Sequence, residues 1–281
     1  MIQEIGMNLQ SFAKRVYSSI LYQSTFYNFL NPNYIGTLRD TGAPVIEVGK
    51  TNTLQVNERQ TVEIQSDLTL SLVGYGRTLV DLTELKLDYA VRVPVAISGS
   101  DIANAIQDAV DLEDSAIAKA IDTYGYGKLN STQMDEYEWD PVNDADYTKL
   151  LNGLRAKLFN KGITGEYRLG LGATEYANLV SALTSIIKFE NVDVNEGLSL
   201  GEMAKVYGIR IFEINDNVLD GTIGYFFNPI AVVGDTFFSA FVQTASDVRL
   251  PGYYCLSGNQ LFGASVVRPE AIVRLAEEVS K

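Results

Sequence analysis

The chain contains no histidine. That absence removes the Ser-His-Asp and Cys-His devices, histidine-bearing zinc sites and the commonest general base near neutral pH. Cysteine is nearly absent as well, with Cys255 the only one. One cysteine makes neither an internal disulfide nor a thiolate metal cluster. It lies in Tyr253-Tyr-Cys-Leu256, an apolar setting that suits a small buried hydrophobe better than a reactive thiol. Positive charge is in deficit, with 22 Lys+Arg against 35 Asp+Glu and a formal net charge of -13. A domain that reads nucleic acid carries a basic surplus, so the chain as a whole is not an electrostatic DNA reader. Long charge-free apolar runs are also missing, and a bilayer span needs one. Met1 to Gly6 carries Glu4 and no positive charge, which predicts a soluble chain without an export signal.

What is present is ample apolar material. Of 281 residues, 46% are hydrophobic, enough for one large or two modest domains. The most organised stretch runs from Leu85 to Tyr126. Leu85, Leu87, Tyr89, Val91, Val93 and Val95 alternate with polar neighbours, the period of a strand with one buried face. Ile102, Ile106, Ala109, Leu112, Ala116 and Ala120 then step by three or four, the stripe of an amphipathic helix of about seven turns. Ser98 and Asp101 suit its start, and Gly125 and Gly127 suit its stop. Its outer face carries Asn104, Asp108, Asp111, Asp114, Lys119 and Asp122 and is expected to be acidic and wet.

Residues 1–44 read as an arm. Tyr22, Phe26, Tyr27, Phe29, Leu30 and Tyr34 come thickly and without clear period. Such aromatics anchor a segment, either into the chain's own body or onto a neighbour. Residues 45–84 alternate over short polar stretches, as in a hairpin with no core of its own, which needs a partner surface. Past Lys128 a polar stretch ends in the acidic Asp135-Glu-Tyr-Glu-Trp-Asp140. A helix from Asp144 to Leu158, a strand Tyr167–Leu171, a helix Tyr176–Ile187 and a short helix near Ser199–Tyr207 follow. Strands are expected at Ile209–Ile214, Gly224–Phe227, Ala231–Val233, Phe237–Val242, Val248–Leu256 and Leu261–Val267, then a helical tail from Pro269 to Glu278.

Chemistry-bearing motifs are weak. Gly74-Tyr-Gly-Arg77 lacks the ending of a phosphate-binding loop and reads as a turn. Gly170-Leu-Gly172 before a helix is the better anion-site candidate of the two, but a strand–helix junction is the preferred reading of it. The acids around Trp139 fit glycoside hydrolysis or a Ca²⁺ or Mg²⁺ site in residue type only, and a solvated acidic loop explains them. No catalytic, cofactor or metal constellation emerges, and the chain is not expected to be an enzyme.

The order of parts resembles the major capsid proteins of tailed bacteriophages with the HK97 fold, over about Tyr34 to Arg274. Tyr167-Arg-Leu-Gly-Leu-Gly-Ala-Thr-Glu-Tyr176 is similar to that family's frequent strand and helix with a Pro/Ala-x-x-Tyr start. Tyr207-Gly-Ile-Arg-Ile-Phe-Glu-Ile-Asn215 is similar to its following Gly-x-x-Ile/Val strand. The resemblance implies an α+β, HK97-like capsid fold. Residues 1–44 would be the N-arm, 45–84 the extended E-loop hairpin and 85–143 the P-domain strand and spine helix. Residues 144–246 would be the A-domain, and 247–281 the return strands of the P-domain and a tail. It implies a shell of pentamers and hexamers in a virion, assembled in the host cytoplasm. Such a shell encloses DNA without sequence-specific binding and without a membrane, and a separate scaffolding protein and a portal are expected partners. Phe12, Tyr27, Phe29, Tyr34, Lys50, Glu58, Arg59 and Arg77 are then the residues expected at contacts between subunits. Lys50 and Asn259, the latter in a loop, have the residue types of the crosslink some members form. An encapsulin-like nanocompartment and a carboxylate-based α/β hydrolase are the other classes open to the sequence.

Overall fold

The computed structural model describes residues 23–35, 45–51, 75–94, 100–141, 146–183, 188–189, 204–239, 245–246 and 253–277. Strands β1 (Val45–Thr51) and β2 (Tyr75–Asp81) pair antiparallel as a two-stranded ribbon. β3 (Leu85–Pro94) leads into helix α1 (Ser100–Ser131). Then come β4 (Asp135–Trp139), α2 (Tyr147–Asn160), β5 (Tyr167–Gly172), α3 (Ala173–Ala182), β6 (Lys188–Phe189), β7 (Ala204–Val206) and β8 (Ile209–Ile214). The chain ends with β9 (Thr222–Phe227), β10 (Val232–Ser239), β11 (Ala245–Ser246), β12 (Tyr253–Val266) and β13 (Ile272–Glu277).

A seven-stranded sheet with order β4-β13-β9-β5-β8-β7-β6 is the centre of the chain. Both its faces are covered. Leu169 and Leu171 of β5 pack with Leu150, Leu154 and Leu158 of α2 and Leu179 of α3. On the opposite face, Phe212, Ile214, Tyr225 and Phe227 pack with Ile117, Ile121, Tyr126 and Leu129 of α1. A second sheet has the 14-residue β12 at its centre, with β3 on one side and β10 and β11 on the other.

α1 departs from its sequence reading in three ways. Its buried residues step by four through Ile117, Ile121, Gly125 and Leu129, with Ala118 and Tyr126 beside them. Leu112 and Ala116, expected in the buried stripe, are exposed. Gly125 and Gly127 do not stop the helix. A Cβ on Gly125 would lie 2.4 Å from the Phe26 ring, so this glycine makes room for an aromatic of the N-terminal segment. The helix ends instead where Arg274 of β13 donates to the carbonyls of Leu129, Asn130 and Thr132, a cation at the negative end of the helix.

Five further expectations give way. The acidic stretch at 135–139 is an edge strand paired parallel with β13, not a solvated loop, because Trp139 turns into the core against Tyr147. Residues 253–266 form one strand, and Asn259 sits inside it opposite both Asp88 and Ser239. Pairing with β3 along its length, and with β10 at Asn259, holds Ser257-Gly-Asn259 extended despite its turn-forming composition. The tail is not helical: a single 3₁₀ turn, Pro269–Ala271, precedes β13, whose Ile272, Val273 and Leu275 are buried within the sheet. Ala204–Val206 is strand β7, where a short helix was expected, and Tyr75 and Gly76 lie within β2 rather than at a turn.

Gly125 and Gly127 make a matched pair of tests. Gly125→Ala is expected to lose about 1–3 kcal/mol of stability by overpacking against Phe26. Gly127→Ala, whose Cβ meets nothing within 4 Å, is expected to gain up to about 1 kcal/mol from helix propensity. Urea unfolding of the unassembled chain measures both, and equal effects would refute the account of Gly125.

Candidate assembly surfaces

The described residues hold no group of three or more His, Cys, Asp or Glu able to bind a metal ion. Among them no helix is long and apolar enough to cross a membrane. The acids of β4 face cations of the chain itself. Asp135 lies 2.6 Å from Lys161 Nζ, and Glu136 lies 3.4 Å from Arg274 Nη1. At Gly170-Leu-Gly172 the anion position is filled from within. A Cβ on Gly172, the cap of α3, would sit 2.2 Å from Asp216 Oδ1, and Thr174 Oγ1 donates to Asp216 Oδ2 at 3.3 Å. These are structural junctions, and the distinctive geometry lies elsewhere, where peripheral segments join the body.

The first junction seats the N-terminal segment on α1. Asp122 accepts four hydrogen bonds: from Ser24 Oγ at 2.5 Å, Phe26 N at 2.9 Å, Thr25 Oγ1 at 3.0 Å and Thr25 N at 3.2 Å. The carboxylate thus caps the 3₁₀ turn Thr25–Phe29, whose orphan N–H groups need an acceptor. Asp122 was expected on a wet outer face; it is half-buried at this junction. Burial pushes its carboxyl above the ordinary value, and the hydrogen bonds from Ser24, Phe26 and Thr25 pull it back. Beneath the cap, Phe29 stacks on Phe227 with centroids 4.0 Å apart and meets Tyr126, Phe212 and Tyr225 edge-on. Arg168 Nη1 holds the far end of the turn through the Asn28 carbonyl at 2.6 Å.

The second junction is the base of the β1–β2 ribbon. Ile46, Val48, Val80 and Leu82 pack on Val233 and Val267, with Tyr34 against them. A Cβ on Gly263 of β12 would lie 2.0 Å from the Asp81 carbonyl, so only glycine lets the two backbones approach so closely. Glu84, in the turn after β2, accepts from Lys128 Nζ at 2.5 Å and from the Tyr124 hydroxyl, both on α1. Those two donors, Lys128 first, hold the Glu84 carboxyl below its ordinary value. On the ribbon's other side Leu79 is 68% exposed.

The residues expected at subunit contacts fall into three groups. Tyr27 and Phe29 are buried in the chain's own core, with Tyr27 bonded through its hydroxyl to Thr236 Oγ1. For these two, packing into the own body replaces the anchoring to a neighbour. Tyr34 is half-buried at the ribbon base. Lys50 and Arg77 occupy the ribbon strands, opposite Gly76 and Gly49, and their side chains lie outside the described residues, as do Phe12, Glu58 and Arg59 altogether. Asp122 and Gly125 were missed as docking residues. Ser24-Thr25 before an aromatic run was the one local cap-like signal, and nothing local pairs it with residue 122.

No family model and no curated protein matches the sequence. Solved structures do match along nearly the whole chain. A structure from Mycobacterium phage Che8 is 18% identical with a TM-score of 0.61, covering 90% of this chain and 91% of that one. The capsid structure of cyanophage P-SCSP1u is 14% identical with a TM-score of 0.57, covering 85% and 84%. The virus-like particle from Pyrococcus furiosus is 12% identical with a TM-score of 0.56, covering 92% and 95%. The chain therefore has the α+β, HK97-like fold of phage capsid structures.

Removing the Asp122 cap leaves donors of Ser24, Thr25 and Phe26 unpaired, so Asp122→Ala is expected to lose about 1–3 kcal/mol. Its folded carboxyl titrates above the unfolded value. The unfolded chain therefore ionises first as pH rises, and wild-type stability falls through the carboxylate range until the folded group has also ionised. The variant lacks that component. Urea titrations at a series of pH values check both, and an unchanged pH dependence would rule out the assignment.

Proposed function

We propose that the chain is a major capsid protein that assembles with copies of itself into the closed icosahedral head of a tailed bacteriophage, around double-stranded DNA. The observation that carries this reading is the match in fold to phage capsid structures over at least 85% of the chain. Two further features support it. The β1–β2 ribbon exposes apolar surface on one side, a liability in a monomer and an asset in a lattice. The chemistry-bearing motifs are absorbed into packing. In this reading residues 1–44 are the N-arm, 45–84 the E-loop, 85–143 with 247–281 the P-domain and 144–246 the A-domain. Phe12, Tyr34, Lys50, Glu58, Arg59 and Arg77 then face neighbouring subunits. A separate scaffolding protein and a portal complete the head, and the shell is built in the host cytoplasm and ends in the virion. The protein is structural, with no catalysis of its own.

A second reading has a specific observation in its favour. The Pyrococcus furiosus particle matches over 92% of this chain and 95% of its own, and an encapsulin-like compartment around protein cargo has the same fold requirements. Expression with and without a scaffolding partner, followed by electron microscopy and analysis of contents, separates the two. Closed shells containing DNA in native particles are expected. Shells filled with a folded enzyme would establish the compartment, and a persistent monomer would end both readings. Deletion of residues 51–66 is expected to leave a folded chain that no longer closes shells.

A further inference from the structure

Two exposed aromatics stand at one end of the central sheet. Phe159 is 61% exposed and is the penultimate residue of α2, whose end leads through residues 161–166 into β5. Tyr207 is 47% exposed and lies in the turn into β8, whose Ile209 is opposite Tyr167 at the start of β5. Both rings are therefore at the end where β5 and β8 begin.

Single exposed apolar residues are ordinary, and two features set these apart. Tyr207 has a φ of 52°, which is strained for an aromatic residue, and burial of its ring does not offset the strain. Phe159 has Arg155 one turn behind it on the same side of α2, and both are exposed. α2 contains no carboxylate from Tyr147 to Asn160, and no ion pair among the described residues uses Arg155. Exposed aromatics with an unpaired arginine have the make-up of a contact hot spot.

The other end of the same sheet is acidic. β8 finishes with Glu213 and Ile214, and the 3₁₀ turn Asp216–Val218 and the Asp220-Gly221 turn lead from it into β9. Glu213, Asp216 and Asp220 are all exposed. Asp216 is accounted for within the chain, since it lies at the N-terminus of α3 and accepts from Thr174 Oγ1 at 3.3 Å. Glu213 and Asp220 are not: no ion pair among the described residues uses either, and no Lys or Arg occurs from Ile211 to Val248. Half-buried Val218 and Ile223, on either side of Asp220 in the sequence, add apolar surface to this end.

Resting on the shell reading, we propose that Phe159, Tyr207 and Arg155 of one copy dock on the Glu213–Ile223 end of the central sheet of the next copy. The rings bury against Val218 and Ile223, and Arg155 meets Glu213. Apolar burial supplies the attraction, and the charge pair sets the register. The occupant is a second copy because the chain carries both halves of the contact, matched in charge. The halves differ and lie at opposite ends of one sheet, so the contact runs head to tail from copy to copy until a ring closes.

Phe159→Ser removes the exposed ring and no internal packing. The unassembled variant is expected to melt at the wild-type temperature, while its yield of closed particles, read by sedimentation, falls roughly tenfold. A second experiment exchanges charge. Arg155→Glu and Glu213→Lys each lower the yield by about as much, and combining them restores it. A wild-type yield from Phe159→Ser, or no restoration on combining, would overturn the contact while leaving the shell reading intact. A wild-type chain that forms no particles would remove the shell reading and the contact together. Variants that assemble at wild-type yield but no longer bind a scaffolding protein would assign this end to that protein and overturn the proposal.

Discussion

The capture of the Ser24–Phe29 segment by α1 is the interaction on which the fold depends. It joins three levels of the structure. The Asp122 carboxylate satisfies the donors of the segment, Gly125 opens the helix surface for Phe26, and Phe29 fills the space between the helix and the sheet beside Phe227. Without Phe26 and Phe29 the helix and this face of the sheet would enclose a void, and protein interiors tolerate such voids poorly. The segment is therefore an interior element of the body that happens to come from an arm. Immediately after it, Leu30 bridges to Val232 and Asn31 N donates to the Val232 carbonyl, which carries the order of the arm into the sheet built on β12.

That second sheet transmits position outward. β12 pairs with β3, with β10 and with β11, and Gly263 brings it against the Asp81 carbonyl at the root of the ribbon. The ribbon is held at its root by Ile46, Val80 and Leu82 and by the Glu84–Lys128 contact to α1. Two strands with one bare side are marginal on their own. The same arrangement is economical in a shell: a fixed root aims the projection, and a neighbour supplies the missing layer.

Much of the fold was legible in the sequence, and the losses share one cause. The stripe of α2 follows a local period because it buries one face against the sheet, and β5 and β8 are legible as short apolar runs that lie between two covered faces. The misreadings all involve elements whose environment comes from distant chain. β12 contains a turn-like Ser257-Gly-Asn259 that pairing with β3, and with β10 at Asn259, holds straight. β13 reads as a helical tail yet enters the sheet between β4 and β9. Asp122 has the helical phase of a solvent-facing residue, and only the return of residues 24–26 makes it interior. Gly125 reads as a helix stop for the same reason, since its actual role is a vacancy for a ring that lies 99 positions away. The candidate surfaces were less legible still. Exposure of Leu79 and of Leu112 is a property of three-dimensional placement, and neither residue departs from ordinary composition.

Electrostatics constrains how such chains can meet. Copies of net charge -13 repel at long range, though salt confines that repulsion to a Debye length of about 8 Å. Cohesion must then come from contacts within that distance, where apolar burial and paired charges act. The chain distributes its cations accordingly. At the β4 edge Lys161 and Arg274 neutralise Asp135 and Glu136 locally, so that edge adds little to the repulsion. Within the sheet Glu166 bridges Arg168 and Arg210 in the same way. Local pairing of this kind leaves apolar burial as the non-directional term that can hold acidic copies together once they are in contact.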